Sequence, residues 1–191
     1  MGRAALAAVA ACWWAPSAAA LPTAPPGAAA TATLRCSDQI GASSGPAASR
    51  TTVSGTVALT TRAALGAGPG GDASDPNARF FAKDGLQFRT GASFDLRVPP
   101  EWRGRVSLGW GNPAPRTTHL RVAGCAWTPS PSQSSPRGTW LAFAGGYWVR
   151  QPACVSVLVT VGHRTRRVHI GIGVACPGQI APPVPLTVGA P

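Results

Sequence analysis

The chain has 191 residues, enough for one domain of ordinary size, and 12% of them are charged, about half the share usual in soluble proteins. Its 23 glycines and 20 prolines press toward disorder, but seven tryptophans and a 45% hydrophobic share need a core to bury them and exclude a wholly disordered chain. The net charge of +11 attracts anions, yet Lys83 is the one lysine among 17 basic residues, and Ala, Gly, Pro and Arg are all in excess. That is the signature of GC-rich coding, so charge alone does not define a nucleic-acid binder.

The opening "MGRAALAAVAACWWAPSAAALP" has a short basic start at Arg3, an apolar stretch and then Ala18-Ala19-Ala20. This is the layout of a secretory signal peptide over residues 1–20, cut after Ala20. A retained membrane anchor is the alternative, weakened by the Ala-rich composition and by Pro16. Val9-Ala10-Ala11-Cys12 resembles a bacterial lipobox and would make Cys12 a lipid anchor, although few residues precede it. The reading adopted is a chain that is secreted or held in the cell envelope, with no membrane span once mature.

Residues 21–35, beginning "LPTAPPGAAATATL", read as a Pro/Ala-rich linker, and residues 177–191 as a Pro-rich tail. The folded domain is expected over 36–176. It holds Cys36, Cys125, Cys154 and Cys176, an even number that favours two disulfides in an exported chain. The expected pairing is Cys36–Cys176, joining the ends, and Cys125–Cys154, closing a nearer loop. No CxxC pair and no His at ligand spacing from a Cys is present, so neither a metal nor a cofactor is expected.

Within the domain the period is two. Val53, Val57 and Leu59 suggest a first strand broken at Gly55. "DASDPN", Asp72 to Asn77, reads as an Asx-rich turn before it reads as a calcium loop. Phe94, Leu96 and Val98 alternate with polar residues, as do Val106, Leu108 and Trp110, and then Leu120 and Val122. Trp110 and Trp148 fall at inward positions. Val155, Val157, Val159 and Val161 form one stripe, and Val168, Ile170, Ile172 and Val174 another. Gly162-His163 between them fits a hairpin turn. "KDGL", "RTGAS", "PPEWRGR" and "GNPAP" mark other turns. No amphipathic helix is evident. Apolar stripes of this kind need a second sheet to cover them, so the expected fold is all-β: a disulfide-stapled antiparallel β-sandwich of roughly seven to ten strands, Ig-like or jelly-roll in style.

The stretches "FFAKDGLQFRTG", "VPPEWRGRVSLGWGNP", "LRVAGC" and "AFAGGYWVRQPACVSVLVTVGHRTRRVHIGIGVAC", with "CSDQIG" near the start, resemble segments of small exported proteins of high-GC, actinobacterial-type bacteria. That group is uncharacterised in activity. The resemblance implies export and a shared scaffold, and it carries over no catalytic residue.

Functional candidates are few. No zinc-protease helix, P-loop or EF-hand loop is present, and no catalytic residue is assigned. Trp127 and Trp140 flank the Ser/Pro-rich loop "TPSPSQSSPRG", with Arg137 inside it. Rings framing such a loop read as lids on the core first and as a sugar- or peptide-recognition site at this end of the sandwich second. His163, Arg164, Arg166 and Arg167 load the hairpin tip with positive charge, a hairpin end first and an anion site second. The expected function is a non-catalytic binding or structural module. Its expected partner is envelope polysaccharide or another exported protein. The alternatives are a hydrolase of an envelope polymer, which would need the scattered acids and histidines to converge in one cleft, and anion or nucleic-acid binding by an arginine-rich sheet face. Export argues against nucleic acid.

Overall fold

A computed structural model describes residues 30–72, 74–127 and 139–182. The signal-like segment with Cys12, most of the proposed linker, the Ser130–Arg137 loop and the end of the Pro-rich tail lie outside the described residues. The fold is all-β. In chain order the strands are β1 (Ala32–Thr33), β2 (Gln39–Ser43), β3 (Arg50–Val53), β4 (Val57–Thr60), β5 (Gly68–Pro69), β6 (Phe80–Lys83) and β7 (Leu86–Arg89). They continue as β8 (Ser93–Arg97), β9 (Val106–Trp110), β10 (His119–Ala123), β11 (Trp140–Phe143), β12 (Gly145–Val149), β13 (Ala153–Val161) and β14 (Arg164–Ile172). The helical elements among the described residues are 3-10 turns at Cys36–Asp38 and Pro100–Trp102.

The expected pair of sheets is divided into three, and the strands exceed the expected number. One sheet runs β1-β10-β8-β13-β14, a second β2-β11-β7-β4-β3, and a four-stranded third β5-β6-β12-β9. Pairing between these strands is antiparallel except between β1 and β10, and isolated parallel bridges join Ala63 to Ile180 and Leu65 to Ile172. Side chains from all three sheets meet in one core, including Phe88, Phe143, Leu96, Leu108, Trp110, Tyr147, Val157 and Ile170. Phe88 stacks on Phe143 with centroids 5.2 Å apart, and Trp110 meets Tyr147 edge-on at 5.3 Å, geometries that suit the ring quadrupoles.

Most expected stripes face this core, with instructive exceptions. Gly55 does not break a strand; with Ser54, also at positive φ, it turns β3 back onto β4 so that Val53 pairs with Val57. Tyr147 rather than Trp148 is the inward residue of β12, and Trp148 is half-buried on the other face against Phe81 at 4.8 Å. Val174 lies past the end of β14 and is 44% exposed. "KDGL" is a crossing from one sheet to another instead of a wet turn. There Asp84 is buried, accepting from Arg50 Nη2 at 2.7 Å and from Thr60 Oγ1 at 3.0 Å, while its carbonyl accepts from Trp110 Nε1 at 2.9 Å. Burial pushes the Asp84 carboxyl above its usual range, against the pull of Arg50.

The folded unit begins inside the segment read as linker. Leu34 is buried and donates its N–H to the Arg121 carbonyl at 2.9 Å, in line with the parallel pairing of β1 and β10. It also passes Cys176, since Ile180 exchanges backbone bonds with Arg62 and Ala64 at 3.0 and 2.8 Å. The disulfide pairing differs from expectation as well: Cys36 bonds Cys125, and Cys154 bonds Cys176. The β1–β10 pairing carries Cys36 to the end of β10, where Cys125 lies. The β13–β14 hairpin sets Cys154 opposite Gly171, and the chain turns back through Gly173 to bring Cys176 beside it.

Candidate functional site

The outer face of the sheet β1-β10-β8-β13-β14 gathers polar residues from four strands. Register places His119 opposite Arg97, Arg97 opposite Leu158 and Leu158 opposite Arg167. The next row on the same face is Arg121, Asp95, Thr160 and Thr165. Directly opposed residues share a face, while Leu120, Leu96, Val159 and their neighbours fill the inner one. Within these two rows Asp95 is the single carboxylate, against Arg97, Arg121, Arg167 and His119.

Asp95 and His119 converge, as a catalytic reading would require. His119 Nε2 lies 2.5 Å from Asp95 Oδ1, and Thr31 Oγ1 lies 3.4 Å from His119 Nδ1. In the tautomer with the proton on Nε2 the ring donates to Asp95 and Nδ1 accepts from the Thr31 hydroxyl; in the other, Nε2 accepts from Arg97 Nε. Arg97 Nε sits 3.2 Å from the same Nε2 and Arg121 Nε 3.7 Å from Asp95 Oδ1, so one guanidinium faces the ring and another the acid. At the far edge Arg167 pairs with Glu101, and that hydrogen bond holds the Glu101 carboxyl below its usual range.

A cavity of about 550 Å³ opens beside Asp95. Pairing of β13 with β8 stops at Thr160–Asp95, and the space begins beyond that last rung. Thr33, Ser93, Asp95, Arg121, Thr160 and Gly162 contribute to its walls. Gly162 ties the cavity to the hairpin tip. There Val161 pairs with Arg164, so the turn is the two residues Gly162-His163, with Gly162 at φ 57° as such a turn demands. His163, Arg164, Arg166 and Arg167 are all exposed along this turn and edge strand. The basic tip is therefore a hairpin end that also borders the cavity.

The aromatic site is different. Trp140 is 4% exposed, with the Arg89 guanidinium 5.2 Å above its ring, and cannot present a face to a sugar. Trp127 is half-buried and packs against the core, and Arg137 lies outside the described residues. Asp72 and Asp75 are both engaged by Arg116, and each accepts a backbone N–H two residues on, from Ser74 and Asn77, which is the Asx-turn geometry. Among the described residues no group of His, Cys, Asp and Glu is placed to hold a metal ion.

Alternation already turned Asp95, Arg97, His119 and Arg121 outward. Their convergence depends on β8 lying between β10 and β13, which no local signal announces. No protein-family model, curated protein or solved structure matches the chain, so any reading of the site rests on its own geometry.

Proposed function

We propose that this is an exported, non-catalytic binding module that holds an anionic polysaccharide of the cell envelope on the outer face of the hairpin sheet. Two disulfides suit an oxidising, extracytoplasmic setting, and among the described residues no helix is long and apolar enough to cross a membrane. The signal-like opening and the likeness to exported proteins support the same address. The observation that carries the reading is the cavity beyond the Asp95–Thr160 rung. Its threonine and serine hydroxyls and its carboxylate match sugar hydroxyls, and the exposed Arg121 on its wall matches acidic substituents. The test is retention on immobilised anionic polysaccharide, with neutral dextran as control. Replacing both Arg97 and Arg121 by Gln should lower retention at least tenfold, because each charged hydrogen bond lost is worth about 1.5–3 kcal/mol. Unchanged retention by the double variant, or equal retention on dextran, contradicts it.

A second reading, hydrolysis of such a polymer, is favoured by the Thr31–His119–Asp95 arrangement. There His119 would take the Thr31 proton through Nδ1 while Asp95 orients the ring through Nε2. Release of acyl groups from envelope polymer by the wild type and its loss in Thr31→Val would carry this reading. No release by the wild type removes it.

A further inference from the structure

A second cavity, of about 260 Å³, lies where the chain passes from β12 of the four-stranded sheet to β13 of the hairpin sheet. Its floor is apolar: Val106, Val149 and Val155 are buried, with Ala153 half-buried beside them. Trp102, at the end of the 3-10 turn Pro100–Trp102, forms one wall and packs against the core. The rim is cationic. The Arg105 guanidinium lies 4.6 Å over the Trp102 ring and gives one donor to the Glu101 carbonyl, leaving others for a ligand. Arg150 stands exposed on the rim, its backbone N–H bonded to the Arg105 carbonyl at 3.1 Å. The neighbouring carboxylate, Glu101, is already taken by Arg167.

We propose that this cavity binds a small amphiphilic anion, an alkyl chain ended by a carboxylate, with the chain on the valine floor and the anion between Arg105 and Arg150. An apolar floor disfavours a bare hydrated ion, and a cationic rim disfavours a neutral chain; the two together select a molecule with both features. The site is built before a ligand arrives. The Cys154–Cys176 disulfide pins the start of β13, and Pro152 packs closely on Gly173, where a Cβ would come within 2.9 Å of the proline ring. Walls fixed in this way spare the ordering cost that weakens binding to mobile sites. The occupant differs in class from a polysaccharide, and the residues that line the cavity are not those that line the one beside Asp95.

Calorimetric titration of the full chain with octanoate, octanol and acetate tests this directly. Octanoate should bind saturably, octanol about tenfold more weakly for want of the anion, and acetate without measurable heat. Arg150→Gln should weaken octanoate several-fold without lowering the thermal midpoint, and Ala153→Leu should fill the floor and abolish binding. Octanol binding as tightly as octanoate, octanoate binding untouched by Arg150→Gln, or no saturable octanoate binding each overturns the proposal.

Discussion

At the scale of single residues, the burial of Asp84 is the least expected feature of a chain with so few charges. Its partner Arg50 keeps 9% of its side chain exposed and Asp84 2%, so solvent screens the pair little. Removing one partner strands the other charge in the core. Arg50→Met should cost about 3–5 kcal/mol, read by denaturant unfolding, and a loss below about 1 kcal/mol would mean that Asp84 is protonated or wet. Trp140 belongs to the same scale. It is a buried ring under Arg89, so Trp140→Ala should destabilise by about 3–5 kcal/mol while leaving polysaccharide retention per folded molecule unchanged. Reduced retention with intact stability would return the site to the tryptophan end.

Strands and their connections explain what the sequence could and could not disclose. Alternation located β8, β9, β10, β13 and β14 because each buries one stripe against the core, and it located the Gly162-His163 turn because a hairpin needs a residue tolerant of positive φ. It did not disclose that β9 is covered on both faces, all five of its residues being buried. On β12, Tyr147 rather than Trp148 points inward, and Gly145 packs so tightly on β9 that a Cβ there would overlap the Gly109 carbonyl oxygen. The Cys154–Cys176 bond was within reach, since a hairpin centred on Gly162-His163 brings those two regions together. Cys36–Cys125 was not, because it depends on a two-residue strand running parallel to β10. For the candidate site the outward side chains were legible and their neighbours were not, since consecutive strands such as β7 and β8 or β12 and β13 belong to different sheets.

The disulfides also set how firmly these elements are held. Cys36–Cys125 spans 89 residues and Cys154–Cys176 spans 22, which the chain-entropy relation converts to roughly 4–5 and about 3 kcal/mol. The Cys36→Ser/Cys125→Ser variant should therefore unfold at lower denaturant than Cys154→Ser/Cys176→Ser, by equilibrium unfolding. The reverse order would show that native strain or residual unfolded structure outweighs loop length. Peptide mapping without reduction should recover the same two pairs.

For the molecule as a whole, charge governs both stability and recognition. Asp38, Asp72 and Glu101 all sit below their usual carboxyl range. At Asp38 burial works the other way and is outweighed by the Asn112 backbone N–H and Arg35; at Asp72 the Ser74 hydroxyl and N–H lead; at Glu101 it is Arg167. A lowered carboxyl stabilises the fold above its unfolded pKa, and that contribution is lost as pH falls through the folded value. Asp84, raised by burial, has the opposite sign and favours the fold as it protonates. The lowered carboxyls predict a fall in the thermal midpoint below about pH 4, opposed by Asp84, and a midpoint level or rising down to about pH 2 would show that Asp84 outweighs these exposed pairs.

Recognition follows from where the surplus positive charge stands. A net charge of +11 gives the whole molecule an attraction for anions, but only a site with matched hydroxyls and guanidiniums would localise it. The most direct measurement is a nitrogen-15 correlation spectrum of the protein titrated with an anionic envelope oligosaccharide, including the arginine Nε signals. Binding at the hairpin sheet predicts saturable shifts concentrated at Ser93 to Arg97, His119 to Ala123 and Thr160 to Arg167, with Arg97 and Arg121 Nε among the largest. Shifts centred on Trp127 and Trp140, or shifts spread evenly over all arginines without saturation, would contradict it.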